Sequence, residues 1–154
     1  MSPHPTIVLI LPNIRSAHNV GAFFRTADAI GVSKIYLTGY TPHPGHPRVD
    51  KVSLGAERTI PWEHRPTALP LLRELRNAGY TLVALEKTIS SIDYRNWTPQ
   101  FPLAIVVGNE VTGVTRPQLT QCDTVVHLPM LGTKESLNVS VALGGLAYAI
   151  ARFF

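Results

Sequence analysis

Three short stretches of this chain bring together polar and charged residues that could do chemistry. The first is Asn13-Ile-Arg-Ser-Ala-His-Asn19, leading on to Arg25. Arg25 falls on the far side of a helical wheel from Phe23, Phe24 and Ala27, so it points away from that helix's own core. A guanidinium so placed could grip a phosphate or a ribose through its planar fork. A solvated arginine and a capping Asn19 would have the same pattern. The second stretch is Gly108-Asn-Glu-Val-Thr-Gly113, directly after an apolar run. Its glycines permit tight turns and close approach of a ligand to the backbone, and Glu110 at a strand end needs a partner if it is buried. A turn with a helix-capping carboxylate is the plainer alternative. The third is Leu128-Pro-Met-Leu-Gly-Thr-Lys-Glu-Ser-Leu-Asn138. Gly132, Thr133, Lys134 and Glu135 make a long polar approach to an apolar helix, which favours a ligand site over a capped helix alone. Ser136 is the expected N-cap, with Asn138 in the first helical turn.

The elements that must position these residues follow from apolar periodicity. Continuous runs at Thr6–Leu11, Ile35–Thr38, Thr81–Leu85, Leu103–Val107 and Val125–Leu128 predict five strands buried on both faces. Helices are expected from Val20 to Ile30 with Asn19 as N-cap, as one short helix within Val49–Glu57, and over Thr67–Asn77, Arg116–Gln121 and Asn138–Phe153. A loop with Pro42, Pro44 and Pro47 is too rich in proline for regular structure. Alternating strands and helices predict an α/β fold, a parallel sheet with helices on both faces. In such sheets ligands bind where strand ends meet helix N-termini, and all three stretches lie at such junctions.

Composition narrows the possibilities. The chain has 154 residues, 45% of them hydrophobic, which suits one domain with a full core. The formal net charge of +4 favours an anionic partner, nucleic acid first. Cys122 is the sole cysteine, so neither an internal disulfide nor a cysteine zinc site is expected, and a reduced cytoplasmic setting fits. Cys122 itself reads as a small buried residue. His43 and His46 lack companions at ligand spacing, so no metal is expected. Trp62 is expected in the core or at an interface. Met1–Pro5 has no signal-peptide pattern, and no apolar run approaches the roughly 20 residues of a membrane span. There is no Gly-Lys-Ser/Thr phosphate loop and no Gly-x-Gly-x-x-Gly fingerprint.

Taken together, Asn19-Val-Gly-Ala-Phe-Phe-Arg25, Val107-Gly-Asn-Glu-Val-Thr-Gly113 and Leu128 through Ala142 closely resemble the three signature motifs of the SpoU (TrmH) class of the SPOUT superfamily of RNA methyltransferases. The resemblance runs from about Ile7 to the C-terminus. It implies a deep C-terminal trefoil knot in the α/β sheet, an arrangement that general topology rules would not propose. It implies S-adenosylmethionine as methyl donor, held at Leu85, Gly108, Leu128, Met130, Ser136 and Leu137. It implies a homodimer in which Arg25 reaches the cofactor of the other subunit. The catalytic set it implies is Arg25, Asn19, Glu110, Ser136 and Asn138, with Glu110 holding Arg25 or Asn19 in place.

The implied reaction is methyl transfer to a ribose 2′-hydroxyl of RNA. An arginine stays protonated at ordinary pH, so Arg25 is expected to position a phosphate and stabilise the developing alkoxide rather than act as a base. Residues 1–154 are expected to be a single methyltransferase domain without an N-terminal RNA-binding extension, and that brevity points to tRNA. The stretch Glu135-Ser-Leu-Asn-Val-Ser140 instead resembles members that act on the tRNA D-loop guanosine or on ribosomal RNA. tRNA is therefore favoured, with ribosomal RNA as the alternative. A non-catalytic RNA-binding module on the same fold would be expected to lack motif residues, and all are present.

Overall fold

The first apolar run forms β1 (Ile7–Pro12), every residue of which is buried. The computed structural model describes residues 4–154, so most of the Met1–Pro5 segment lies outside the described residues. Along the chain follow α1 (Ala17–Ile30), β2 (Lys34–Thr38), α2 (Pro47–Ser53), α3 (Ala56–Thr59), β3 (Trp62–Arg65), α4 (Ala68–Asn77), β4 (Thr81–Leu85), β5 (Ile92–Asp93), β6 (Leu103–Val106), α5 (Arg116–Gln121), β7 (Thr124–His127) and α6 (Val139–Ala151). The strands form one sheet in the order β3-β2-β1-β6-β4-β7-β5. Every pairing in it is parallel.

Side chains alternate across a strand, and the two faces collect separate cores. Ile7, Leu9, Leu11, Leu103, Ile105 and Val107 face a cluster with Phe23 and Phe24 of α1 and Leu143, Leu146 and Ile150 of α6. Val8, Ile10, Ala104 and Val106 face the other way, against Leu71, Leu72 and Leu75 of α4. Phe23 and Phe24 are wholly buried, so truncating either to Ala would cost about 3–5 kcal/mol. Helix α6 lies against α1 and buries Leu143, Leu146, Ala147 and Ile150 in the first of these clusters.

Four expectations need correction. The sheet has two more strands than the five expected; β3 (Trp-Glu-His-Arg) and the two-residue β5 lie at its edges and carry no apolar run. Helix α1 starts at Ala17, three residues before Val20, because Ser16 rather than Asn19 is its N-cap and accepts the Asn19 N–H. The region expected to hold one helix holds α2 and α3, broken where Leu54 and Gly55 take left-handed conformations, φ 52° and 94°. The N-cap of α6 is Asn138, not Ser136, because the Asn138 side chain accepts the N–H groups of Ser140 and Val141.

Candidate active site

β6 runs into Val107 and Gly108, and the chain then doubles back within a few residues. A Cβ on Gly108 would lie 2.5 Å from the Gly113 carbonyl carbon and 2.6 Å from the Val114 nitrogen, so only glycine fits. Gly113 takes φ +70°, and its N–H donates to the Asn109 carbonyl at 2.9 Å. Asn109 shapes the loop from inside: its Oδ1 accepts the N–H groups of Val111 and Thr112 (2.8 and 2.9 Å). Its Nδ2 donates outward to the Asn13 carbonyl (2.7 Å) and to Tyr40 Oη (3.0 Å). Glu86, just beyond β4, accepts the Val114 N–H at 2.9 Å. The ends of β1, β2, β4 and β6 are thereby tied to one loop.

Glu110 points from this loop to the start of α1. Its Oε1 accepts the Arg15 N–H (2.8 Å), and its Oε2 accepts the Ser16 N–H (2.8 Å) and Asn19 Nδ2 (3.0 Å). A helix N-terminus offers free N–H groups and positive potential, so a carboxylate is stabilised there. Burial works to raise the Glu110 pKa, but the Arg15 and Ser16 amides with Asn19 outweigh it and hold the carboxyl below its ordinary 4.5. Asn19 is 5% exposed and uses both ends of its amide, since its Oδ1 accepts Asn138 Nδ2 at 3.2 Å. Asn138 Oδ1 in turn accepts the Ser140 N–H (2.9 Å), the Ser140 hydroxyl (2.6 Å) and the Val141 N–H (3.3 Å). One hydrogen-bonded chain, Glu110–Asn19–Asn138, thus joins residues from all three sequence stretches.

Beside this chain lies a cleft of about 320 Å³. All six residues expected to hold a cofactor line it: Leu85, Gly108, Leu128, Met130, Ser136 and Leu137. Of the expected catalytic residues, Glu110, Ser136 and Asn138 also line it, and Asn19 backs it through Glu110 and Asn138. Arg25 does not. It is exposed on α1, forms no hydrogen bond or ion pair among the described residues, and is not held by Glu110. The lining residues Glu86, Lys87 and His127 lie outside the stretches singled out in the sequence; His127 Nδ1 is 2.8 Å from Ser91 Oγ. Each comes just after an apolar strand or at its end, the position that favours ligand contact in a parallel sheet.

Burial pushes the Cys122 thiol up to about 12, with Asp123 adding to it, so this thiol is a poor nucleophile. Trp62 lies on edge strand β3, 36% exposed, rather than in the core. Among the described residues no three of His, Cys, Asp or Glu are grouped to hold a metal ion, and no helix is long and apolar enough to cross a membrane.

A parallel sheet with a loop-built cleft at its carboxyl edge, beside the N-terminus of the last helix, is the α/β class of fold that binds ligands at its strand ends. Residues 6–148 match the SpoU rRNA Methylase family, and the chain belongs to that family. It is 37% identical over 140 residues to the 23S rRNA (guanosine-2′-O-)-methyltransferase RlmB of Neisseria meningitidis, covering 91% of this chain and 56% of that protein. An AdoMet-bound rRNA methyltransferase from Sinorhizobium meliloti superimposes with a TM-score of 0.88 at 29% identity, over 99% of this chain and 59% of that one. The TrmH/SpoU tRNA modifying enzyme of A. aeolicus gives 0.87 at 29% identity, over 97% of this chain and 75% of that one. The chain spans little more than half the length of the curated relatives it matches.

Proposed function

We propose that the chain binds S-adenosylmethionine in the cleft and transfers its methyl group to a ribose 2′-hydroxyl of RNA, with tRNA the first substrate to test. The observation that carries this reading is the convergence of the three motif stretches on one cleft through the Glu110–Asn19–Asn138 chain. The lining suits the cofactor. Leu85, Leu128, Met130 and Leu137 offer apolar surface for an adenine, while Glu86, Glu110 and Glu135 make the rim favourable to a cationic ligand. When bound, the cofactor supplies an electrophilic methyl group.

The chain's own residues must then align the hydroxyl and stabilise the charge it develops. Ser136 and Asn138 stand at the cleft as hydrogen-bonding groups for the ribose. Glu110 and Asn19 position Asn138 and the start of α1. In this reading Arg25 comes from a second copy of the chain. Its exposure and lack of partners support that, as do the exposed apolar side chains Val141, Tyr148, Phe153 and Phe154 at the C-terminal end. The guanidinium stays protonated, so it holds a neighbouring phosphate and the nascent alkoxide while the proton leaves to phosphate or water. The C-terminal knot belongs to the same reading, and the position of β6 between β1 and β4, with α6 returning to α1, supports it.

Ribosomal RNA is the second substrate class, favoured by the 37% identity to a ribosomal guanosine 2′-O-methyltransferase. The test is incubation of total tRNA or ribosomal RNA with labelled S-adenosylmethionine, followed by mass analysis of the nucleosides. A 2′-O-methylated nucleoside is the expected product, and label on a base would overturn the reading. Mixing an Arg25→Ala copy with a cleft-filling Ser136→Trp copy should restore part of the activity if the arginine acts across subunits.

A further inference from the structure

A second hollow, of about 470 Å³, lies at the same carboxyl edge of the sheet, beyond β2 and β3. Its rings belong to Tyr40, His43, His46 and His64, with Trp62 alongside. The His43 ring stacks on Trp62, centroids 5.6 Å apart and planes 14° from parallel, and the His64 ring stands edge-on to His43 at 6.2 Å. Tyr40 is 62% exposed, and neither Tyr40 nor Trp62 belongs to either hydrophobic core. These rings are nonetheless held in place. His64 Nε2 donates to the Gly39 carbonyl at 2.8 Å. Buried Thr41 accepts the Ile14 N–H (2.9 Å) and donates to the Leu11 carbonyl (2.8 Å), fixing the floor of the loop.

Position gives the hollow its meaning. Tyr40 Oη accepts a hydrogen bond from Asn109 Nδ2, and Asn109 also lines the cofactor cleft. The hydrogen-bonded pair Asn109–Tyr40 therefore links the two depressions, one residue lining each. Two exposed arginines lie close by in the chain: Arg48 is two residues after His46 in α2, and Arg15 two residues after Asn13, whose carbonyl Asn109 holds; neither side chain forms an ion pair among the described residues. Fixed, exposed rings with arginines close by are what an unstacked nucleotide requires, since a base has a π-face for any ring and its phosphate needs a cation.

We propose that the His43–Trp62 stack and Tyr40 form a platform for a base of the RNA substrate, that of a nucleotide adjoining the one methylated. This rests on the RNA reading given above. The platform is a binding subsite only, so it takes no part in methyl transfer.

The test uses the full chain with Trp97→Phe, which leaves Trp62 as its only tryptophan. A short single-stranded oligoribonucleotide of mixed sequence should quench Trp62 fluorescence saturably. His43→Ala and Trp62→Ala, the latter followed by anisotropy of a labelled oligomer, should each weaken RNA binding by on the order of ten-fold. S-adenosylmethionine affinity, measured by calorimetry, should stay unchanged, and Trp62→Phe should restore most of the RNA binding. The proposal is overturned if both alanine variants bind the oligomer as tightly as the parent. It is also overturned if the oligomer saturates without quenching Trp62, or if it does not bind the parent chain at all. Quenching by RNA in a chain that fails to bind S-adenosylmethionine would sink the methyl-transfer reading and leave the platform standing.

Discussion

The two walls of the cleft are built in opposite ways. The Gly108–Gly113 wall is cross-braced: Asn109, Glu110 and Glu86 tie it to the ends of β1, β2 and β4 and to the start of α1. The facing wall, residues 129–137, has no side-chain hydrogen bond or ion pair among the described residues, and residues 131–138 are all exposed. Only Asn138 at its far end is anchored, through Asn19. A segment with few buried contacts opens at little free-energy cost. One wall is thus preorganised by hydrogen bonds, and the other is not.

The largest effect is expected from the residue that belongs to neither wall. Arg25→Ala should lower methyl transfer by on the order of 10²–10³, with folding stability changed by less than about 0.5 kcal/mol because the side chain is exposed. Arg25→Lys should recover little, since an ammonium cannot reproduce a bidentate grip; near-normal turnover in that variant would break the geometric argument.

A pair of glycine substitutions probes the walls directly. Gly108→Ala forces a Cβ into backbone and should destabilise the fold by about 1–3 kcal/mol, with S-adenosylmethionine affinity falling alongside. Gly132→Ala meets nothing within 4 Å and should change neither. Equal damage from both, in thermal melts and calorimetry, would erase the distinction between the walls. Asn19→Ala leaves Glu110 and Asn138 each short of a partner and should cost roughly 1–3 kcal/mol in urea unfolding. Hydrogen exchange sharpens the comparison further: S-adenosylmethionine should slow exchange across residues 131–137 while residues 108–113 change little.

The smallest effect concerns acid. The folded-state pKa of Glu110 lies below its ordinary 4.5, so its contribution to stability is fully present above about pH 4.5 and is lost as pH falls through the folded value. Glu110→Gln should therefore flatten the acid limb of stability against pH. An unchanged limb would mean that the brace to α1 contributes nothing.

Much of this architecture was legible locally. Apolar runs located the five central strands because β1, β2, β4 and β6 are buried on both faces and need no polar alternation, and the half-buried β7 keeps Val125 and Val126. The edge strands β3 and β5 were not legible, because Trp62-Glu-His-Arg65 and Ile92-Asp93 are extended only by pairing with β2 and β7. The cap of α1 was misread because apolar periodicity starts at Val20, whereas the helix starts where Ser16 Oγ meets the Asn19 N–H. Asn19 was then free for a different partner, and no local pattern names it.

By itself the sequence determined the five central strands and the glycine-bounded turn after β6, which follow from side-chain period and turn chemistry acting over a few residues. Its resemblance to the family motifs added the six expected cofactor residues that line the cleft. Only the tertiary structure decided that Asn19 meets Glu110 and Asn138, 91 and 119 residues away in the chain. It also decided that Arg25 stands outside the cleft, and that Tyr40 and Asn109 join two depressions. Those outcomes depend on which strand ends become neighbours. That is set by the packing of two cores across one sheet rather than by any short stretch of chain.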